Sequence, residues 1–154
     1  MTLDSAGNLY GETFDGGSFA CPQSGCGVVY ELTFNSGEWK LQVVHTFNGL
    51  NGLKGSQPTG GLTFDTEGNL YGTTSGGGNL TCNNGNGCGT VFELTPKSGG
   101  GFGFGLVGTF NGPAGSGPNY GVIVDAGTLY GTTFSGGSPN CSPEGCGVAF
   151  GVAP

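Results

Sequence analysis

The sequence predicts an all-β fold made of about three propeller-type blades, each a sheet of four short antiparallel strands, with the third blade incomplete. Three observations lead to this prediction. Blocks of sequence recur at intervals of about sixty residues. Glycine and proline account for 37 and 8 of the 154 residues and recur in register with aliphatic and aromatic residues, as turns between strands do. No segment shows sustained helical periodicity, and this much internal glycine would destabilise helices.

Three blocks define the repeat. The first contains Leu-Tyr-Gly, the second opens with Cys-Gly, and the third contains Thr-Phe-Asn-Gly. Copies of the first block begin at Leu3, Phe64 and Val124, those of the second at Cys26, Cys88 and Cys146, and those of the third at Val43 and Leu106. Tandem self-similarity predicts a single repeat domain over 1–154. Blade 1 covers about 1–59, blade 2 about 60–119, and the partial blade 3 about 120–154.

Each full repeat contains four predicted strands. Strand three shows the pattern most clearly, because an apolar series from Val28 to Phe34 alternates with a series that contains Glu31. The segment from Asp65 to Asn69 predicts a tight reversal, since glycine tolerates positive φ and Asp and Asn bond nearby backbone groups. The predicted strands are 61–65 and 121–125 (strand one), 69–74 (strand two), 28–34 and 90–95 (strand three), and 41–47 and 104–110 (strand four).

Four antiparallel strands per repeat, joined by turn-rich links, are typical of a propeller blade. The alternatives are a β-solenoid, whose coils are usually shorter, and a β-sandwich, which does not require near-identical thirds. Propellers usually close with about 4–8 blades, so three blades leave an open arc with exposed apolar blade faces and unpaired strand edges. The favoured explanation is that the chain is a fragment of a longer product. The others are closure of a ring by two or more copies, and tight closure of three blades helped by disulfides.

Six cysteines form three pairs, each in the same loop of its repeat. Pairing within each loop is the simplest of fifteen connectivities. Zinc is the rival interpretation, but a closed site needs four ligands and therefore two pairs from different blades. Free thiols are the remaining option. The predicted disulfide cysteines are Cys21, Cys26, Cys82, Cys88, Cys141 and Cys146. Disulfides imply an oxidising compartment.

No ionisable side chain is predicted to be catalytic, and neither a metal site nor a cofactor is predicted. His45, the single histidine, alternates in phase with Leu41 and Val43 and is interpreted as packed on their apolar face. Glu12 and Asp15 could act as a carboxylate pair. Both lie beside a glycine turn, however, where solvated carboxylates are ordinary. There is no Gly-x-Ser-x-Gly nucleophile motif.

Two sets of acidic residues repeat. Glu31 and Glu93 are expected to hydrogen-bond to a neighbouring blade, with contact to a ligand as the alternative. The other set is expected to cap turns, with calcium as the alternative, although no bidentate Glu follows at the spacing of a calcium loop. This second set is Asp4, Asp65 and Asp125.

Aromatic residues suggest a further ligand. Trp39, on a predicted outer strand, could stack on sugar rings together with several other aromatic side chains. The competing interpretation is core packing, because the tyrosines recur as blade-core residues do. The other aromatic candidates are Tyr10, Tyr71, Tyr130 and Phe19. These residues do not specify which ligand binds.

The charge balance excludes some partners. The formal net charge is −7, with three lysines and no arginine, so the clustered cations that nucleic acid or an anionic membrane requires are missing. No apolar run is long enough to span a bilayer. Residues 1–20 contain neither the basic start nor the apolar stretch of a signal peptide, which is expected upstream in a longer product.

The repeat resembles a known family. Gly68–Thr74 and Gly89–Leu94, which recur as Gly7–Thr13 and Gly27–Leu32, are similar to the Gloeobacter–Verrucomicrobia (GloVer) tandem repeat. The third copy departs from it, with Thr128 in place of Asn. The resemblance covers nearly the whole chain and implies a propeller-like protein of the bacterial surface or the secreted fraction, often carrying a C-terminal anchoring signal. It supplies no catalytic residues.

These features together predict a non-catalytic extracellular or cell-surface repeat module, which serves structure or interaction with a protein or glycan. One alternative is a carbohydrate-binding propeller that uses the loops at its cysteine end. Another is a fragment of a propeller enzyme, a hydrolase or lyase with its site at the ring centre. The candidate partners are further copies of the chain that close the ring, a glycan, or a surface protein.

Overall fold

The computed structural model describes residues 1–21, 24–49, 54–141 and 145–154. The predicted turn-forming spacers at 22–23 and 142–144, and the predicted link at 50–53, lie outside the described residues. The described part contains eleven strands and one short 3-10 helix, Asn83–Gly85. The strands are β1 (Thr2–Leu3), β2 (Leu9–Thr13), β3 (Val28–Asn35), β4 (Glu38–Thr46), β5 (Ser56–Phe64), β6 (Leu70–Gly76), β7 (Thr90–Pro96), β8 (Phe102–Thr109), β9 (Tyr120–Asp125), β10 (Thr128–Thr132) and β11 (Ala149–Val152).

The strands form three antiparallel meanders. The first sheet has the order β1-β2-β3-β4, the second β5-β6-β7-β8, and the third β9-β10-β11. The predicted all-β fold, with two sheets of four strands and one of three, is therefore confirmed. The arrangement is open, because no hydrogen-bonded ladder joins the described strands of the first sheet to those of the third.

The glycine of Leu-Tyr-Gly makes room for an aromatic ring from the neighbouring strand. Gly72 pairs with Phe92, and Gly131 pairs with Phe150. A Cβ atom on Gly72 would lie 2.5 Å from Cζ of Phe92, and one on Gly131 would lie 2.6 Å from Cζ of Phe150. Gly11 lies against a tyrosine ring in the same way. The motif recurs because each sheet covers a strand glycine with a cross-strand ring.

Each sheet has two distinct faces. The leading face carries a cross-strand row of aliphatic and aromatic residues, and the trailing face carries the tyrosine of Leu-Tyr-Gly. The leading rows are Leu3, Leu9, Leu32 and Leu41 in the first sheet, Phe64, Leu70, Leu94 and Phe104 in the second, and Val124, Leu129 and Val152 in the third. The tyrosines of the trailing faces are Tyr10, Tyr71 and Tyr130.

The core lies between the sheets, where a trailing face packs on the next leading face. Tyr10 and Val29 of the first sheet form one buried cluster with Leu70 and Leu94 of the second. The ring of Tyr10 meets that of Phe64 edge to face, with 5.1 Å between centroids. The same contact follows one repeat later, where the trailing face of the second sheet packs on the leading row of the third. Burial of these apolar faces is the main force that holds the sheets together.

Polar contacts between sheets also repeat. The Gln57 N–H donates to the Cys26 carbonyl at 2.7 Å, and the Gly117 N–H donates to the Cys88 carbonyl at 2.9 Å. The first and second cysteine loops are thereby each joined to the segment that begins the next repeat. Both repeat junctions therefore use one geometry, which the apolar and the polar contacts define together.

Candidate functional site

The cysteine pairs build the loops at one end of the strands. Each pair is bonded within its own loop, with Cα separations of 5.1, 4.9 and 5.2 Å in chain order, inside the ordinary range for disulfides. The bonded pairs are Cys21–Cys26, Cys82–Cys88 and Cys141–Cys146. The glycine after each second cysteine donates its N–H to a glycine carbonyl across the loop, at 3.0, 3.1 and 3.0 Å. The three loops thus share one scheme of crosslink and hydrogen bond.

A cleft lies between each successive pair of cysteine loops. The first has a volume of about 300 Å³ and the second about 440 Å³. Residues lining the first include Phe14, Asp15, Cys21, Gln57, Leu80 and Asn86. Residues lining the second include Cys82, Asn83, Pro113, Ser116, Ser135 and Pro139. Amides, hydroxyls and apolar side chains line both clefts, and Asp15 adds an acidic side chain to the first. This mixture is suited to polar ligands.

Two serines at these clefts were not singled out from the sequence. Ser56 lines the first cleft and Ser116 the second, and both are buried. They occupy equivalent positions, each just before a junction residue of its repeat. Their recurrence was the available signal, but serine is common in loops and its recurrence alone indicates no chemistry.

The repeated aspartates lie at the opposite end of the strands. Asp65 Oδ1 accepts the N–H groups of Glu67 and Asn69 at 2.9 and 2.8 Å, and Oδ2 accepts the Tyr71 hydroxyl at 3.1 Å. Burial opposes ionisation, but hydrogen bonds led by those from Asn69 outweigh it and lower the pKa of Asp65. In the first repeat Asp4 likewise accepts the N–H groups of Ala6 and Asn8, at 2.9 and 2.8 Å. Turn capping is therefore confirmed for these two residues.

Asp125 differs from its two counterparts. The third turn is one residue shorter, so Asp125 pairs directly with Thr128 in a two-residue hairpin. Ala126 and Gly127 have φ of 46° and 77°, the left-handed pair that such a turn requires. Among the described residues, no three His, Cys, Asp or Glu side chains come together in a way that could hold a metal ion.

The repeated glutamates hydrogen-bond within their own sheets. The Tyr10 hydroxyl donates to Glu31 Oε1 at 2.7 Å, and the Tyr71 hydroxyl donates to Glu93 Oε1 at 3.0 Å. Each tyrosine faces its glutamate as a cross-strand partner. The predicted bond to a neighbouring blade is therefore wrong. Burial, then the hydrogen bond to Glu31, raises the pKa of Tyr10 well above its ordinary value.

Glu12 points into the junction between the first and second sheets. Its Oε1 accepts the Gly61 N–H at 2.8 Å, whereas its buried Oε2 has no partner among the described residues. Burial raises the pKa of the Glu12 carboxyl, although the Gly61 N–H and the amino terminus act in the opposite direction. Asp15 instead lines the first cleft. The two carboxylates therefore have separate surroundings.

His45 packs between the first and second sheets. Its ring stacks on Phe104 with 4.2 Å between centroids and meets Phe47 edge-on at 4.7 Å. Burial, aided by the charge of Lys54, lowers the pKa of His45 to about 4. His45 is packed, as predicted, but the predicted location on one face with Leu41 and Val43 is wrong. A bulge places Val43 opposite Tyr30 and His45 opposite Val29, so the two side chains lie on different faces.

The aromatic candidates are not gathered into one surface. Tyr10 and Tyr71 are buried between sheets, in agreement with core packing. Trp39 is 53% exposed on the leading face of the first sheet, where its ring lies 5.1 Å from that of Phe34. Phe19 is exposed in the first cysteine loop, and Tyr130 is exposed on the trailing face of the third sheet.

The fold and the loops define an all-β tandem-repeat protein with disulfide-closed loops. The family model described as the Gloeobacter/Verrucomicrobia repeat matches residues 1–154. The chain belongs to this family, as its sequence motifs indicated. No curated protein and no solved structure matches the chain. In the part of the chain that the structure describes, no helix is long and apolar enough to cross a membrane.

Proposed function

We propose that this protein is a non-catalytic repeat module of an extracellular or cell-surface protein, which works through contact with a glycan, a surface protein or a further copy of the repeat. One observation carries the proposal. The repeated ionisable side chains are engaged in structure, as the Asp65 turn and the Tyr71–Glu93 pair illustrate, whereas the exposed repeated features are loops and faces. Three disulfides support an oxidising, extracellular compartment.

The surroundings of Glu12 and His45 favour this proposal over an enzyme. General acid–base catalysis requires a proton-transferring group within hydrogen-bond reach of a substrate. Glu12 is directed at the Gly61 backbone, and His45 is stacked on a phenylalanine between two sheets. Neither lines the clefts at the cysteine loops.

Carbohydrate binding at the cysteine end is a second candidate, favoured by the two equivalent clefts. Sugars are bound by neutral hydrogen-bonding groups next to apolar surface, and the first cleft places Gln57 and Asn86 beside Phe14 and Leu80. Recurrence of the cleft between successive loops would allow one extended glycan to bind at several points, which multiplies weak affinities.

Turnover and binding assays test both candidates. Polysaccharide and ester substrates are expected to remain intact in the presence of the oxidised chain. Turnover that disappears in Glu12→Gln or His45→Gln would establish an enzyme instead. On a glycan array, Asn86→Ala is expected to weaken any hit about tenfold, which corresponds to the loss of one well-formed hydrogen bond. Asn35→Ala, at the β3–β4 turn, is the matched control. An array without hits would remove the carbohydrate candidate.

A further inference from the structure

We propose that the leading face of the first sheet is covered in solution by the trailing face of the third sheet of a second copy of this chain. The two chains join head to tail, and two such contacts close a ring of six sheets. This inference rests on the proposed function as a contact module and specifies the partner, the two surfaces and their polarity.

The first step is the state of the leading face of the first sheet. Its row begins with Leu3 in β1 and ends with Leu41 in β4, and Leu41 is 64% exposed. Phe34 and Trp39 extend the same face and are also exposed. Isolated exposed apolar residues are ordinary on proteins, but a contiguous apolar sheet face marks an interaction surface.

The second step is the fate of the same row in the other sheets. Leu70 and Leu94, at the centre of the row in the second sheet, are fully buried by the first sheet. Leu129, in the third sheet, is fully buried by the second. The molecule therefore shows twice what covers a leading face, namely the trailing face of another repeat.

The third step is the free trailing face. Tyr71 of the second sheet is 3% exposed because the third sheet covers it, whereas its counterpart Tyr130 is 44% exposed. Ile123, which pairs with Tyr130 across the strands, is exposed on the same face. The third sheet thus has a free trailing face, which is the kind of surface that covers a leading face elsewhere in the molecule. The leading face of the first sheet has no such cover.

The fourth step is polarity and closure. The two free faces are different surfaces, so the contact is heterologous, and it forms a closed ring or an open fibre according to the rotation between units. Blades close into rings of about 4–8. Two chains bring six sheets and fall within this range, whereas three chains bring nine and exceed it. Two copies are therefore the expected assembly.

Light scattering after size exclusion tests the assembly. The oxidised wild-type chain is expected at twice the mass of the 15.3 kDa monomer. Leu41→Asp, on the leading face, and Tyr130→Asp, on the trailing face, are each expected to halve this mass. Phe19→Asp changes an exposed aromatic residue in a cysteine loop, outside both faces, and is expected to keep the wild-type mass. Leu3→Asp serves as a second leading-face variant, and circular dichroism verifies that each variant is folded.

Mixing the two variants tests the head-to-tail polarity. An equimolar mixture of Leu41→Asp and Tyr130→Asp is expected to recover two-chain particles, because one of the two interfaces in a mixed pair is unaltered. A wild-type monomer would overturn the proposal, and so would a Tyr130→Asp variant that keeps the wild-type mass. Long fibres would overturn closure at two copies. None of these masses depends on turnover or on glycan binding. The mass measurements therefore test the assembly independently of the assays that test the proposed function.

Discussion

At the scale of single residues, the repeat allows each unusual side chain to be compared with its counterparts. Glu12 occupies the position of Thr73, whose hydroxyl donates to the Thr59 and Pro118 carbonyls at 2.7 and 2.9 Å. The threonine satisfies a sheet junction with a short neutral donor. The glutamate brings to the same position a carboxylate with one buried oxygen that lacks a partner in the described structure. Glu12 is thus a local defect in an otherwise regular junction.

Replacing Glu12 by the residue of the other repeats should stabilise the protein. Glu12→Thr is expected to raise the free energy of unfolding at neutral pH by about 1–2 kcal/mol, the cost of an unsatisfied buried polar atom. Burial raises the pKa of Glu12 above 4.5, so the folded protein retains this proton to higher pH than the unfolded chain. The contribution of Glu12 to the free energy of unfolding of the wild-type protein therefore falls as pH rises from 4.5 through the pKa of Glu12 in the folded state.

Urea unfolding at pH 4 and pH 8 measures this difference. The advantage of Glu12→Thr is expected to be larger at pH 8 than at pH 4. Glu38→Thr, which removes an exposed carboxylate at the β3–β4 turn, is the control and should change stability little at either pH. An equal advantage at both values would contradict the assignment of a raised pKa to Glu12.

His45 should make the protein sensitive to mild acid. Its folded pKa is about 4 against an ordinary 6.5, so the unfolded chain binds this proton first as pH falls. Stability is therefore lost between about pH 6.5 and about pH 4. His45→Phe keeps a ring against Phe104 and removes the titration. The melting temperature of the variant relative to wild type should rise from pH 7 to pH 5; a constant difference would refute this origin.

At the scale of strands, the sequence predicted four strands in each full repeat and an incomplete third sheet, but not the local irregularities of the strands. Alternation and glycine-rich turns placed β3 and β7 closely, because β3 pairs regularly with β2 and β7 pairs regularly with β6. The extra residue in β4, near Val43 and His45, was missed. A bulge changes the face of the sheet on which the following side chains lie, but it leaves the composition of the strand unchanged. The partner of Glu31 was also missed, because cross-strand register decides it rather than spacing along the chain.

The ring-over-glycine pair gives a test of strand pairing. Gly72→Ala would place a Cβ atom 2.5 Å from the Phe92 ring, so the ring or the strand must shift. Overpacking of this kind is expected to cost about 1–3 kcal/mol in urea unfolding. Gly99→Ala is the control, because a Cβ atom there meets nothing within 4 Å, and it should change stability by less than about 0.5 kcal/mol. Similar losses for both variants would contradict the steric role.

At the scale of the whole molecule, the sequence indicated the loop crosslinks and an open arc with exposed apolar faces, but not which residues lie on those faces. Whether Leu41 is covered depends on which sheet lies next to it, and the hydrophobic pattern of one strand contains no such information. The clefts likewise arise between loops about sixty residues apart in sequence. Neighbouring repeats, rather than any single motif, create the candidate binding surfaces.

Crosslinks should contribute measurably to global stability. Replacing both Cys82 and Cys88 by alanine opens a loop of about six residues, which in the chain-entropy model costs about 2 kcal/mol. Unfolding in urea with and without reductant measures this effect. Reduction should abolish the difference in free energy of unfolding between the wild type and the Cys82/Cys88 variant. Mass spectrometry that finds six free thiols in exported protein would contradict the crosslinks themselves.

The polarity of the faces has a consequence for arrays of any length. A linear stack of such units always has one bare surface at its start and another at its finish, however many units lie between them. The penalty for bare ends is therefore constant, whereas the gain from internal junctions grows with each added unit. Each added unit therefore increases the stability of the stack. When the two ends meet in a closed ring, the penalty for bare ends disappears.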